Sequence, residues 1–144
     1  MPLVRISLLR GKPEGFGRKV GAVVYRAMRE TLNVPEKDNF QLLSEHGPES
    51  LVYDPHYLDV ERSDGFIAIQ ITLNEGRSIE MKKAFYRRVA EDLDRQVGEQ
   101  RDGPRCQLTV RLRCKGDVYE GHVSWRTARY RCRTTSSPSS PRSG

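Results

Sequence analysis

The sequence predicts an α+β fold: two βαβ repeats that form a four-stranded mixed sheet with two helices on one face. Three observations carry this reading. "VRISLLRGK" at Val4 to Lys12 and "IQITLNEGR" at Ile69 to Arg77 align without a gap, with like residues at matching places, which suggests an internal duplication. Each copy alternates apolar and polar residues and is rich in β-branched types, the pattern of a half-buried strand. Each is followed by apolar residues at helical spacing.

Taken in order, Leu3, Val4, Ile6 and Leu8 mark the first strand, which Gly11 ends. Phe16, Val20, Val23 and Ala27 then place a helix over about 14–32. "NVPEKDN" is a proline-containing loop, and a second strand is expected around Phe40 to His46. Residues 47–64, rich in turn formers and tyrosines, form a connector expected to lie on the body. Phe66, Ile67, Ile69, Ile71 and Leu73 mark a third strand, ended by Gly76. A second helix over about 78–97 presents Ile79, Met81, Phe85, Val89, Leu93 and Val97, with Ser78 as its N-cap. "RCQLTVRLR" gives a fourth strand around Arg105 to Arg113. A crossover helix makes the two strands that it joins parallel, and the connection right-handed. With both helices on one face, the other sheet face is bare, and a bare apolar face predicts an oligomer that covers it.

The 144 residues fit one domain, read as 1–125 (repeat one 2–46, connector 47–64, repeat two 65–113), with a basic Ser/Arg/Pro-rich tail over 126–144. The net charge of +6 is unevenly placed: from Arg101 onward there are ten Lys/Arg against three Asp/Glu, so the body is nearly neutral. Such a tail reads as solvated or packed on a neighbour, and no nucleic-acid partner is expected. Cys106, Cys114 and Cys132 are odd in number and contain no C-x-x-C pair, so they read as free thiols of a cytoplasmic protein. His46, His56 and His122 show no ligand spacing to one another or to a cysteine, and neither metal nor cofactor is expected. "GKPEGFGRK" lacks the G-x-x-x-x-G-K-[ST] pattern of a phosphate loop. No apolar run of membrane-spanning length occurs, and no membrane partner is expected.

Pro2 raises the chemical question. A methionine before proline is routinely removed, which would leave Pro2 with a free secondary amine. The bland reading is that Pro2 begins an edge strand, where its missing N–H costs nothing. The other reading is chemical. An α-amine titrates near 7.7–8.0, and enclosure in an apolar pocket lowers that value by disfavouring the charged form. Such an amine serves as general acid or base near neutrality, or attacks a carbonyl to form an iminium. Arg77, at the start of the second helix, is poorly placed for that helix's dipole, yet a guanidinium beside helix N–H groups makes a good carboxylate site. Asp38 either caps the turn after Pro35 or takes part in the chemistry.

Pro2 before a strand, the two βαβ copies, "NVPEKDNFQ" before the second strand and "ITLNEGRSIEMKKAFYRR" after the connector together resemble the tautomerase superfamily. The resemblance is to its fused-repeat, long-subunit branch: the malonate semialdehyde decarboxylases, with the cis-3-chloroacrylic acid dehalogenases as more distant kin. It covers roughly residues 2–100. It implies an amino-terminal proline that does the chemistry, matched by Pro2, an assisting aspartate matched by Asp38, and a carboxylate-holding arginine matched by Arg77. Asn74 and Arg62 are weaker pocket candidates. The implied activity is cofactor-independent decarboxylation of a small β-oxo acid, malonate semialdehyde to acetaldehyde and carbon dioxide. The alternative is keto–enol tautomerisation, or hydration or dehalogenation of small unsaturated acids. The implied partners are a small carboxylate substrate and two further copies of the chain, a homotrimer.

Overall fold

The computed structural model describes residues 1–54, 56, 64–74, 76–97, 107–114 and 117–123. Strands β1 (Leu3–Leu9), β2 (Phe40–His46), β3 (Phe66–Leu73), β4 (Gln107–Cys114) and β5 (Asp117–Val123) and helices α1 (Phe16–Leu32) and α2 (Ile79–Val97) follow in the order β1–α1–β2–β3–α2–β4–β5. Among the described residues the sheet has five strands in the order β2-β1-β3-β4-β5, which corrects the expected four. It is mixed: β1 runs parallel to β2 and β3 parallel to β4, while the pairs β1/β3 and β4/β5 are antiparallel. The added strand pairs with β4 from Cys114↔Asp117 to Leu108↔Val123. It makes β4 an interior strand.

The period-2 pattern decides which sheet face is covered. Val4, Ile6 and Leu8 of β1 and Ile67, Ile69, Ile71 and Leu73 of β3 lie in one core with Val20, Val23, Val24, Ala27, Met28 and Leu32 of α1 and Phe85, Val89 and Leu93 of α2. Burying each large aliphatic side chain contributes about 1.5–3 kcal/mol, so this layer dominates the favourable side of folding. α1 comes close to β2 at Gly21, where the Gln41 Nε2 donates to the Gly21 carbonyl at 2.8 Å. A Cβ at that position would run into the Gln41 carboxamide.

α2 departs from expectation on one side. Ile79 is exposed, and the buried stripe runs through Lys82, Phe85, Tyr86, Val89, Asp92 and Leu93. Asp92 is enclosed because it meets α1: its Oδ2 lies 3.4 Å from the Arg26 Nη2 and 3.0 Å from the Arg88 Nε, while the Arg88 Nη2 reaches Glu30 Oε2 at 3.0 Å. The two helices are thus joined by charge as well as by apolar contact.

The opposite sheet face is open, and it is less apolar than expected. Arg5, Gln70 and Thr72 are exposed at its centre, and among the described residues the exposed large apolar side chains of that face, Phe40 and Leu42, lie on β2. Of the connector, Tyr53 packs its ring on Phe66 with centroids 4.5 Å apart. Burial, and then the charge of Asp64, push the Tyr53 hydroxyl above the usual tyrosine range. No helix among the described residues is long and apolar enough to cross a membrane.

Candidate active site at the amino-terminal end of the sheet

Pro2 is buried immediately before β1. Leu3 pairs with Phe40 on one side and with Thr72 on the other. β1 is therefore an interior strand, which corrects the reading of Pro2 as the start of an edge. The missing N–H costs little here because the ladder begins one residue later. The same register decides what else reaches this end: the residues before β2, which include Asp38, and those after β3, which include Asn74, Gly76 and Arg77.

Asp38 sits at the end of a tight turn. Its N–H donates to the Pro35 carbonyl at 3.3 Å, and Lys37 takes a left-handed φ of 68°. The Lys37 N–H donates to the Tyr25 hydroxyl at 2.9 Å, so α1 holds the turn in place. The turn is closed by backbone, which leaves the carboxylate for another use. Its Oδ2 lies 3.9 Å from the α-amine of Met1, and the side chain is 25% exposed. Tyr25 is a contributor that sequence reading missed, because a tyrosine on a helix carries no local signal of the loop it will brace.

Gly76 turns the chain after β3 with φ 101°, a conformation that favours glycine. Arg77 follows, half-buried, with its Nε donating to the Leu32 carbonyl at 3.2 Å and its Nη1 to the Asn74 carbonyl at 3.1 Å. Leu32 ends α1, so the guanidinium meets the negative end of that helix. This offsets the poor placement at the start of α2. Asn74 enters through its carbonyl, and its side chain is exposed. Ser78 is the N-cap: the Met81 N–H donates to its Oγ at 3.2 Å.

One sheet end thus gathers a buried proline, a carboxylate facing the chain's α-amine, and a guanidinium fixed by two elements. β4 also ends here, since Leu73 pairs with Cys114, and β5 begins here at Asp117. Chemically, a cation and a proton-transferring group at one sheet end suit a small anionic substrate. Arg62 lies outside the described residues, as do Trp125 and the 126–144 tail. Among the described residues, no group of three or more His, Cys, Asp and Glu is arranged to hold a metal ion.

Comparison with known proteins bears on the family and the fold. A family described as tautomerase enzyme matches residues 38–103. The chain is 38% identical over 102 residues to the probable tautomerase YusQ of Bacillus subtilis (strain 168), spanning 71% of this chain and 80% of that protein. A solved structure of malonate semialdehyde decarboxylase, studied for decarboxylase and hydratase activities, superposes with a TM-score of 0.65 at 24% identity, over 78% of this chain and 83% of that one. A fused 4-OT symmetric trimer gives 0.58 at 16% identity, over 78% and 84%.

Proposed function

The chain belongs to the tautomerase superfamily, and from that premise we propose that it is a cofactor-independent enzyme that decarboxylates a small β-oxo acid, malonate semialdehyde, to acetaldehyde and carbon dioxide. The observation that carries the reading is the buried Pro2, entering between β2 and β3 at the end where Asp38 faces the α-amine. After loss of Met1 the amine is that of Pro2. Arg77 holds the substrate carboxylate, aided by Asn74. The prolyl amine, protonated or as an iminium, polarises the β-carbonyl, so that the electron pair released as carbon dioxide leaves is stabilised. Asp38 orients the reacting groups. The two βαβ units read as repeats, and the assembly as a homotrimer.

Keto–enol tautomerisation is the second reading, favoured by the YusQ likeness. In it, Pro2 acts as the base that takes the proton from the enol hydroxyl and returns it to the neighbouring carbon as the carbonyl forms.

Intact-mass measurement with a halopyruvate tests both readings, followed by peptide mapping and by turnover on malonate semialdehyde and phenylenolpyruvate. The expected result is a chain without Met1, one adduct on Pro2, and loss of turnover in Pro2→Ala. Turnover on the enol alone would select the second reading. A native chain that keeps Met1, or an unreactive Pro2, would overturn both.

A further inference from the structure

The opposite end of the sheet is built from the same parts, with one replaced. β1 and β2 end there side by side, Leu9 against His46, as β3 and β4 end at the first site, Leu73 against Cys114. β1 is followed by Gly11 at φ 92° and Lys12, as β3 is followed by Gly76 at φ 101° and Arg77. At the first end the chain enters β1 with Leu3 beside Thr72, near the end of β3. At this end it enters β3 with Ile67 beside Leu8, near the end of β1. What enters here is the peptide Asp64–Gly65–Phe66 in mid-chain, so no α-amine is available.

A cavity of about 390 Å³ lies here, lined by Leu9, Arg10, Gly11, Lys12, Pro48 and Asp64. The crevice outside the carboxyl ends of parallel strands is where open α/β sheets bind ligands. Leu9 and Pro48 give it apolar wall, and among the described residues its charged lining is two cations against one carboxylate. Lys12 is half-buried and donates from Nζ to the Asp64 carbonyl at 2.7 Å, which fixes the ammonium at the wall and leaves two of its three protons undirected. Neither Arg10 nor Lys12 forms an ion pair with a described residue.

We propose that this cavity is a second binding site, which holds a small carboxylate on Lys12 and Arg10 and does not convert it. The carboxylate takes charge-assisted hydrogen bonds from the two cations, its short carbon chain rests on Leu9 and Pro48, and Asp64 accepts from any hydroxyl that the ligand carries. Retention without turnover rests on the proposed function: the secondary α-amine that reacts at the first end is absent here, and the Lys12 ammonium is held by the Asp64 carbonyl.

The test is amide-resolved NMR of the full chain titrated with malonate, with sodium chloride at matched ionic strength as the control. Saturable shifts at Leu9 to Lys12, Gly47 and Gly65 are expected, separate from those at Leu73 to Ser78. Lys12→Gln should raise the dissociation constant for the first group about tenfold or more, the loss of one charge-assisted contact. Arg10→Gln, at an exposed position, should weaken the same group without disturbing the fold. Silent amides at this end under saturating malonate would overturn the proposal. So would shifts reproduced by the chloride control, or shifts unchanged in both variants.

Discussion

Arg77 donates to carbonyls from two elements, Leu32 at the end of α1 and Asn74 after β3, and this sets its structural contribution apart from a part in holding substrate. A planar guanidinium aims Nε and Nη1 in fixed, divergent directions; an ammonium on a flexible stem does not satisfy both carbonyls and still present a fork to a carboxylate. Arg77→Lys is therefore expected to lower stability by about 1–2 kcal/mol in urea unfolding, the scale of the hydrogen bonds lost. If Arg77 also binds substrate, the variant loses about tenfold or more in kcat/KM while the positive charge is retained. A variant with the stability loss and unchanged kinetics would reduce Arg77 to a tie between α1 and β3. The motif "LNEGR" pointed to this arginine, but its bond to Leu32 joins residues 45 apart and has no local signature. The same holds for Tyr25, whose hydroxyl braces the turn before Asp38 from another element.

At the scale of elements, α1 and α2 are clamped around Asp92, buried between Arg26 and Arg88 while both arginines stay partly in water. Removing the carboxylate leaves two like charges facing each other at the helix contact, whereas removing one arginine leaves Asp92 with the other. Asp92→Ala is thus expected to cost about 1–3 kcal/mol and Arg26→Ala under about 1 kcal/mol, both read from urea unfolding. Equal losses would show that the clamp adds nothing beyond an ordinary surface pair. This stripe also marks where periodicity misled. A search for apolar residues counts Ile79, which is exposed, and passes over Lys82 and Asp92, which are buried. Strands β1 and β3 were legible because their alternation is clean and each is followed by a glycine, and β2 because a proline loop precedes it and Gly47–Pro48 follows it. β5 was not: "DVYEGHV" opens with an acid and carries a glycine within, both weak strand signals. The clue available was the two residues, Lys115 and Gly116, that separate it from β4, a spacing typical of hairpins.

For the molecule as a whole, the open sheet face decides what the chain does next. Its centre is polar at Arg5, Gln70 and Thr72, so burial of apolar area across the whole face is not the driving force that the bare-face argument supposed. Among the described residues the apolar part lies along β2, where Phe40 is 49% and Leu42 51% exposed, on a strand whose outer edge has no described neighbour in the sheet. An edge strand with exposed apolar residues is a template for association unless it is covered. In the proposed homotrimer, a second copy covers it. Leu42→Glu separates the possibilities because its effect depends on what Leu42 meets. On a free monomer surface the change stays within about 0.5 kcal/mol, and nothing about the mass alters. In a trimer it buries an unpaired carboxylate in the contact, a cost large enough to dissociate the subunits at micromolar concentration. Sedimentation equilibrium of the native protein is expected at three times the chain mass of 16.5 kDa, and that of Leu42→Glu at the single mass with its helical content kept. A native protein at the single mass would remove the trimer. A variant that stays trimeric would move the contact off β2 and onto the polar centre of the face, where Arg5 would need a partner of opposite charge from the neighbouring copy.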